Sequence, residues 1–323
     1  MSHMNLLEIK NLSVAFKLES GTYDAIYNVS LDIPKGNIIA LVGESGCGKS
    51  MTAMSILRLL PKNSITSSGE IYFNGTNLIK LSEKEMRGIR GSHIALIPQD
   101  PMTSLNPLYT VGNQLMEIIN KDKSLSKPDA IKKATEVFEM VKIPNAKDKL
   151  SMYPHEFSGG MKQRAIIAMA LTTKAELIIA DEPTTALDVT IQAQIMNILN
   201  EIKNELGTSI LLISHDLNLV GEYSDEINVM YAGKIVEKAA SEEFFKKPLH
   251  PYSEALLKSL PDKNYERKLK TIEGQPPNIQ EIINGCRFNP RCEKAIEGIC
   301  NKKSPSLLCN GDNHCVSCNL FEH

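Results

Sequence analysis

Gly43-Glu44-Ser45-Gly46-Cys47-Gly48-Lys49-Ser50 is the stretch that decides the fold. It satisfies G-x-x-x-x-G-K-[ST] at every position. It follows a covered-type strand, Asn37–Val42, and opens a helical segment, Lys49–Leu60, that Pro61 closes. Glycines at these positions let backbone N–H groups turn inward around a β-phosphate, and the helix N-terminus adds the positive end of its dipole. Lys49 can reach the β- and γ-phosphates, and the Ser50 hydroxyl can hold Mg²⁺. Cys47 is the unusual member. A thiol at a helix start is expected to have a lowered pKa and to react with alkylating agents, although the position also reads simply as a variable one.

Downstream, Leu177-Ile178-Ile179-Ala180-Asp181-Glu182 is an apolar strand ending in two carboxylates. Asp181 is placed to hold Mg²⁺ and Glu182 to polarise an attacking water, although an apolar strand ending in Asp-Glu is common by itself. Ser158-Gly159-Gly160 opens a helix over Met161–Leu171 and makes a second anion-binding nest, or an ordinary capped helix start. His215 follows a strand at Ser209–Ile213. Asp188–Leu206 is the clearest helix: Ile191, Ile195, Ile198, Leu199, Ile202 and Leu206 form one apolar stripe, with Gly207 after it. Residues 6–97 read mostly as strands and turns, with a hairpin at Asn74-Gly75, and residues 103–172 read as a helical insertion. The alternation of strands and helices predicts an α/β fold with a mainly parallel, covered sheet.

The 323 residues suggest two domains, and 36 Lys+Arg against 38 Asp+Glu leave a net charge of −2. That balance argues against a chain held on nucleic acid or anionic lipid by bulk charge. No apolar run reaches the length of a membrane span, and no apolar h-region opens the chain, so a cytoplasmic protein is expected. Past residue 240 prolines punctuate the pattern, and six of the seven cysteines fall in the last 38 residues. A cytoplasmic chain rarely keeps disulfides, so this cluster reads first as a metal site.

The order of the pieces (43–50, Gln99, 158–160, 177–182, Asp188, His215) resembles the ATP-binding subunit of ABC transporters over residues 5–240. The resemblance implies a P-loop ABC ATPase head: a RecA-like core, an antiparallel β subdomain and a helical subdomain at about 103–172 within residues 4–240, with ATP and Mg²⁺ as ligands. It implies a Q-loop role for Gln99, with Ser50, Gln99 and Asp181 as the Mg²⁺ set. Glu182, His215, Lys49 and Gln99 become the catalytic set, with His215 as the switch histidine. The cognate ATP would contact Phe16, Gly43, Ser45, Gly46, Cys47, Gly48, Lys49, Ser50 and Met51, with Phe16 stacked on adenine and Tyr23 as a second candidate. Phe157-Ser158-Gly159-Gly160-Met161 is similar to the signature that caps the ATP of the opposite subunit, with Met161 where Gln is usual, and Ala186-Leu187-Asp188 to the D-loop. Met51 stands where many relatives have Thr, which removes one hydroxyl from the α-phosphate side.

Asp100–Pro107, His250-Pro251-Tyr252, Gly274–Asn278 and Gly285-Cys286-Arg287-Phe288-Asn289-Pro290-Arg291-Cys292 resemble the dipeptide/oligopeptide importer branch, which includes nickel importers. The implied partners are transmembrane permease subunits docking near residues 99–112, a second and different ATP-binding subunit, and indirectly a substrate-binding protein. No nucleic acid is among them. The expected place is cytoplasmic, peripheral on the inner face of the cell membrane. Cys286, Cys292, Cys300 and Cys318 match the branch pattern, spaced by five, seven and seventeen residues. Those gaps suit a four-iron four-sulfur cluster better than the close pairs usual for zinc, which stays the alternative; residues 241–323 would then be a small Cys-rich, metal-binding domain. Cys309 and Cys315 would be spare. The soluble ABC ATPases of ribosome recycling and of DNA repair are the other classes to weigh. The first have two heads and an N-terminal cluster domain; the second use C-x-x-C pairs or long coiled coils.

Overall fold

The computed structural model describes residues 5–121, 125–185, 187–260, 271–281, 283–310 and 314–322. In chain order the elements are β1 (Asn5–Leu18), β2 (Gly21–Pro34), β3 (Ile38–Val42), α1 (Lys49–Leu57), β4 (Ser64–Phe73), β5 (Thr76–Asn77), α2 (Glu83–Ile89), β6 (Ile94–Ile97), α3 (Pro101–Ser104), α4 (Val111–Ile119), α5 (Lys127–Met140) and α6 (Ala146–Lys149). Then come α7 (Gly159–Thr172), β7 (Leu177–Asp181), α8 (Val189–Leu206), β8 (Ser209–Ser214), α9 (Leu217–Tyr223), β9 (Glu226–Tyr231), β10 (Lys234–Ala240), α10 (Ser241–Lys246), α11 (Pro251–Lys258), β11 (Leu308–Asn310) and β12 (His314–Val316). They make two compact units. One gathers the chain up to Leu81 with the chain from Leu212 onward; the other is Ser82–Leu211.

In the first unit β2, β1, β4 and β5 form an antiparallel sheet in that order. β4 turns into β5 through Asn74 (φ 47°) and Gly75 (φ 77°), the pair of positive φ values that a two-residue hairpin requires. β3 is buried at all five residues and runs parallel to β9, with Ile39 opposite Glu226 and Val42 opposite Val229. β10 pairs antiparallel with β9, β12 with β10, and β11 with β12. The segment after residue 240 therefore lies in the same unit as the phosphate loop. Glu237 of β10 is fully buried. Its carboxylate accepts the N–H groups of Leu249 and His250, both at 2.8 Å, and meets His314 Nε2 at 2.7 Å. A buried carboxylate persists only with such partners, and these tie the start of α11 and β12 to β10.

In the second unit β6 and β7 are parallel neighbours, Ile94 opposite Leu177 and Ile97 opposite Ala180. Between them in sequence lie α3 to α7, of which α4, α5 and α7 pack on one another. α8 is capped by the Asp188 carboxylate, which accepts the Ile191 N–H at 3.0 Å, and ends at Gly207 with φ 67°. Its stripe is buried at Ile195, Ile198, Leu199 and Ile202, whereas Leu206 is half exposed. The expectation of strands and turns through residue 97 misses α2. That helix is short and polar, with Met86 its one buried residue, so it carries no periodic apolar signal; its start is a Ser82/Glu85 capping box. α1 ends three residues earlier than expected, at Leu57, because Arg58 adopts a left-handed φ of 52°.

Candidate functional site

β3 delivers the chain into the phosphate loop at Gly43 (φ 150°), where a Cβ would stand 2.1 Å from the Met230 carbonyl oxygen of β9. Only glycine allows that approach. Gly48 (φ 110°) caps α1, whose first turn carries no acidic residue, so its dipole end is uncompensated. Lys49 is 5% exposed, and its Nζ donates to the carbonyl oxygens of Gly43 at 2.8 Å and Glu44 at 3.0 Å. The ammonium thus sits within the curl of the loop, beside the glycines whose backbone forms it. Ser45, Gly46 and Ser50 are exposed, and a Cβ at Gly46 would meet nothing within 4 Å, so this side of the loop is open. These residues fit a polyphosphate with its metal ion. Met51 is half-buried behind Ser50.

Cys47 corrects an expectation. It is 5% exposed, and burial pushes its thiol up rather than down, Lys49 opposing only in part. The expected activated thiol is absent because desolvation outweighs the helix end. The two adenine candidates prove to be a single pair: Phe16 on β1 lies directly opposite Tyr23 on β2, and both are half-buried. His215 is exposed immediately after β8, and the next residue, Asp216, caps α9.

The second unit brings Gln99, Asp181 and Glu182 together beyond the carboxyl ends of β6 and β7. Gln99 Nε2 donates to Glu182 Oε2 at 2.8 Å, and Thr185 Oγ1 donates to the same oxygen at 2.9 Å. Asp181 is 3% exposed at the end of β7. Glu182 takes a left-handed φ of 48°. Such a conformation costs on the order of 1–3 kcal/mol for a residue with a Cβ and is found where a side chain must be aimed. Thr185 was not legible as a site residue, because nothing in its local sequence says which way its hydroxyl points.

Ser158 caps α7, its Oγ accepting the Met161 N–H at 3.3 Å. A Cβ on Gly160 would stand 2.8 Å from Ile191 Cγ2, so the glycine lets α7 begin against the first turn of α8. A cleft of about 400 Å³ opens here, lined by Ser158, Gly159, Gly160, Arg164 and Asp188 among others. The Ser158-Gly159-Gly160 turn and Asp188 are therefore neighbours. Ala186 lies outside the described residues.

At the C-terminus Cys309 and Cys315 are joined in a disulfide across the β11/β12 pair, where two unpaired thiols were expected. Cys286, Cys300 and Cys318 are buried and Cys292 is half-buried, all four as free thiols. Burial raises Cys318 to about 11, with the thiols of Cys286, Cys292 and Cys300 adding to it. Cys292 is likewise raised by burial and by its neighbours Cys286 and Cys300. The four thus lie within one another's electrostatic reach. Among the described residues, however, no three His, Cys, Asp or Glu side chains stand close enough to hold a metal ion, so the expected metal site is not formed in this arrangement.

Comparison with known proteins agrees with this geometry. The ABC transporter family model matches residues 26–185, and the model for the oligopeptide/dipeptide transporter C-terminal region matches residues 236–300. A probable peptide ABC transporter ATP-binding protein of Sinorhizobium fredii is 47% identical over 316 residues, covering 97% of this chain and 94% of that protein. The dipeptide transport ATP-binding protein of Bacillus subtilis is 45% identical over 315 residues, covering 97% and 94%. The chain belongs to the ABC transporter family. Among solved structures, this ABC ATPase cassette is similar to a dimeric ATP-binding cassette in a post-hydrolysis state bound to ADP and Pi. The TM-score there is 0.66 at 27% identity, over 73% of this chain and 98% of that one. The fold is accordingly an ABC cassette with mixed α/β sheets. Among the described residues, no helix of the cassette is long and apolar enough to cross a membrane.

Proposed function

We propose that this chain is the ATP-hydrolysing motor subunit of a membrane importer for dipeptides or oligopeptides. The observation that carries the reading is similarity to peptide-transporter ATP-binding proteins along almost the whole chain, including the C-terminal region at 236–300 that has its own peptide-transporter family model. Nickel importers and the soluble ABC ATPases of ribosome recycling and DNA repair are the readings that this similarity does not favour. The chain would work at the inner face of the membrane, with permease subunits, a second ATP-binding subunit and, indirectly, a substrate-binding protein. Residues 4–240 would be the nucleotide-binding domain, with its helical part at about 103–172, and 241–323 the C-terminal domain.

In this reading Lys49 and the backbone N–H groups of the loop hold the β- and γ-phosphates, and Phe16, paired with Tyr23, offers the adenine a ring face. Ser50, Gln99 and Asp181 hold Mg²⁺, which supplies charge neutralisation on the phosphates when bound. Glu182 orients the attacking water and takes its proton. Its Oε2 accepts from Gln99 and Thr185, which fixes the direction of the carboxylate. His215 reaches the γ-phosphate. Ser158, Gly159, Gly160 and Asp188 face the ATP of the opposite head, and the cleft they share supports that placement.

The test is the assembled transporter with Glu182→Gln in this subunit. ATP hydrolysis at this subunit's site is expected to fall by about 100-fold or more while ATP binding survives. Hydrolysis there at the parent rate overturns the base assignment, and failure of the parent complex to take up labelled di- or oligopeptides overturns the cargo.

We further propose that Cys286, Cys292, Cys300 and Cys318 hold a four-iron four-sulfur cluster, with zinc as the alternative occupant. The donor set supports this: four thiols, three of them buried, act on one another, while the remaining two C-terminal cysteines are taken up by each other. Such a group would supply folding energy to a segment with little regular structure of its own.

A further inference from the structure

The phosphate loop contains a carboxylate whose partner comes from far along the chain. Glu44 follows Gly43 directly, and its carbonyl oxygen is one of the two that receive Lys49 Nζ. Its side chain is gripped at both oxygens by the Arg291 guanidinium, Nη1 to Oε2 at 2.7 Å and Nη2 to Oε1 at 3.0 Å. The Arg291 side chain is only 6% exposed against 24% for Glu44. Its fork is held in turn: Nε donates to the Glu273 carbonyl at 2.9 Å, Nη2 to the Gly274 carbonyl at 3.3 Å and Nη1 to the Tyr231 hydroxyl at 3.3 Å. The Glu44 backbone N–H donates to the Tyr252 hydroxyl at 2.9 Å. Phe288 packs against both Tyr231 and Tyr252, with ring centres 5.1 and 5.3 Å apart.

A second tie runs beside the first. Arg287 donates to the Ala232 carbonyl, and the N–H of the next residue, Gly233, donates to the Cys47 carbonyl at 2.8 Å. The short segment 287–291, flanked by Cys286 and Cys292, thus grips the loop directly at Glu44 and reaches it at Cys47 only through the turn at Ala232 and Gly233.

Electrostatics gives the arrangement a purpose. A loop that binds a polyphosphate should not present a bare carboxylate to it, since like charges a few ångströms apart in a partly buried site repel strongly. A bidentate guanidinium both cancels the charge and fixes its direction. We propose that Arg291 is a positioning residue of the ATP site: it neutralises Glu44 and holds the phosphate loop in the curl that receives the nucleotide. This rests on the reading of the loop as an ATP site. Because Arg291 adjoins Cys292, the segment bearing the thiols is also the one that braces the loop.

The test is equilibrium binding of ATP to the purified full chain, read by competition with a fluorescent ATP analogue. Arg291→Ala should weaken binding on the order of tenfold, and Arg291→Lys, which keeps the charge but loses the fork, by less. Adding Glu44→Gln to Arg291→Ala should restore most of the loss, because it removes the unpaired carboxylate. A residue that served packing alone would show no such rescue. Parent-like binding by Arg291→Ala overturns the proposal, as does a double variant that binds no better than the single one. If Arg291→Ala does not fold, Arg291→Gln with and without Glu44→Gln makes the same comparison. A parent chain that binds no ATP would overturn the reading of the loop itself.

Discussion

Single residues carry two opposite lessons about burial and charge. Cys47 sits at a helix start yet is pushed up in pKa, because its burial leaves no water to solvate a thiolate. His250 is the stronger case. It is 1% exposed, burial lowers it from 6.5 to about 3, and its Nδ1 accepts the Tyr252 N–H at 3.0 Å, a role only the neutral ring can play. The folded value lies below the unfolded one, so between about pH 6.5 and about pH 3 the unfolded chain binds a proton that the folded chain refuses. The contribution is complete above pH 6.5 and is lost as pH falls, at up to about 1.4 kcal/mol per unit. Urea unfolding at pH 7 and pH 5 should therefore show a smaller drop in stability for His250→Asn, which keeps a capping acceptor and does not titrate, by about 2 kcal/mol. Equal drops in parent and variant would contradict the assignment.

At the scale of elements, periodicity was legible wherever one face of a long segment is buried. α8 is the best example, and its stripe makes a graded prediction. Ile198→Ala, at a buried position, should cost about 2–4 kcal/mol in equilibrium unfolding, whereas Leu206→Ala, at the half-exposed end, should cost under about 0.5 kcal/mol. Comparable losses at both positions would mean that the stripe is buried along its whole length in solution. The short elements were illegible for the converse reason. α2 buries one side chain, and β6 has four residues, too few for either period to show.

For the molecule as a whole, the C-terminal cysteines are the point at which sequence and structure pull apart. The spacing suggested four ligands and two spare thiols. The structure leaves the four as free thiols within electrostatic reach of one another, with no three close enough to hold a metal ion among the described residues, and binds the spare pair to each other. Anaerobic purification with assay of iron, zinc and acid-labile sulfide per chain decides the matter. About four irons with matching sulfide are expected for the cluster. One zinc without sulfide replaces it with a structural zinc site, and neither metal removes the proposal. Removing the metal should lower the melting temperature, since β11, β12 and two short 3-10 turns are the regular structure described in residues 283–322.

The sequence by itself determined the G-x-x-x-x-G-K-S loop, the acidic strand end, the Ser158-Gly159-Gly160 helix start and the order in which they occur, because each is a local strand or loop-to-helix unit whose geometry follows from adjacent residues. It also pointed to the family, because these motifs stand together in one order along a single stretch of chain. Only the tertiary structure decided which oxygen of Glu182 Gln99 holds, that Phe16 and Tyr23 are one pair, and that Arg291 reaches Glu44 across 247 positions. Contacts of that range depend on which strands become neighbours and which side chains they aim at one another. Neither the hydrophobic period nor the motif spacing carries that information, and burial, which reversed the expectation for Cys47, exists only once the chain has packed.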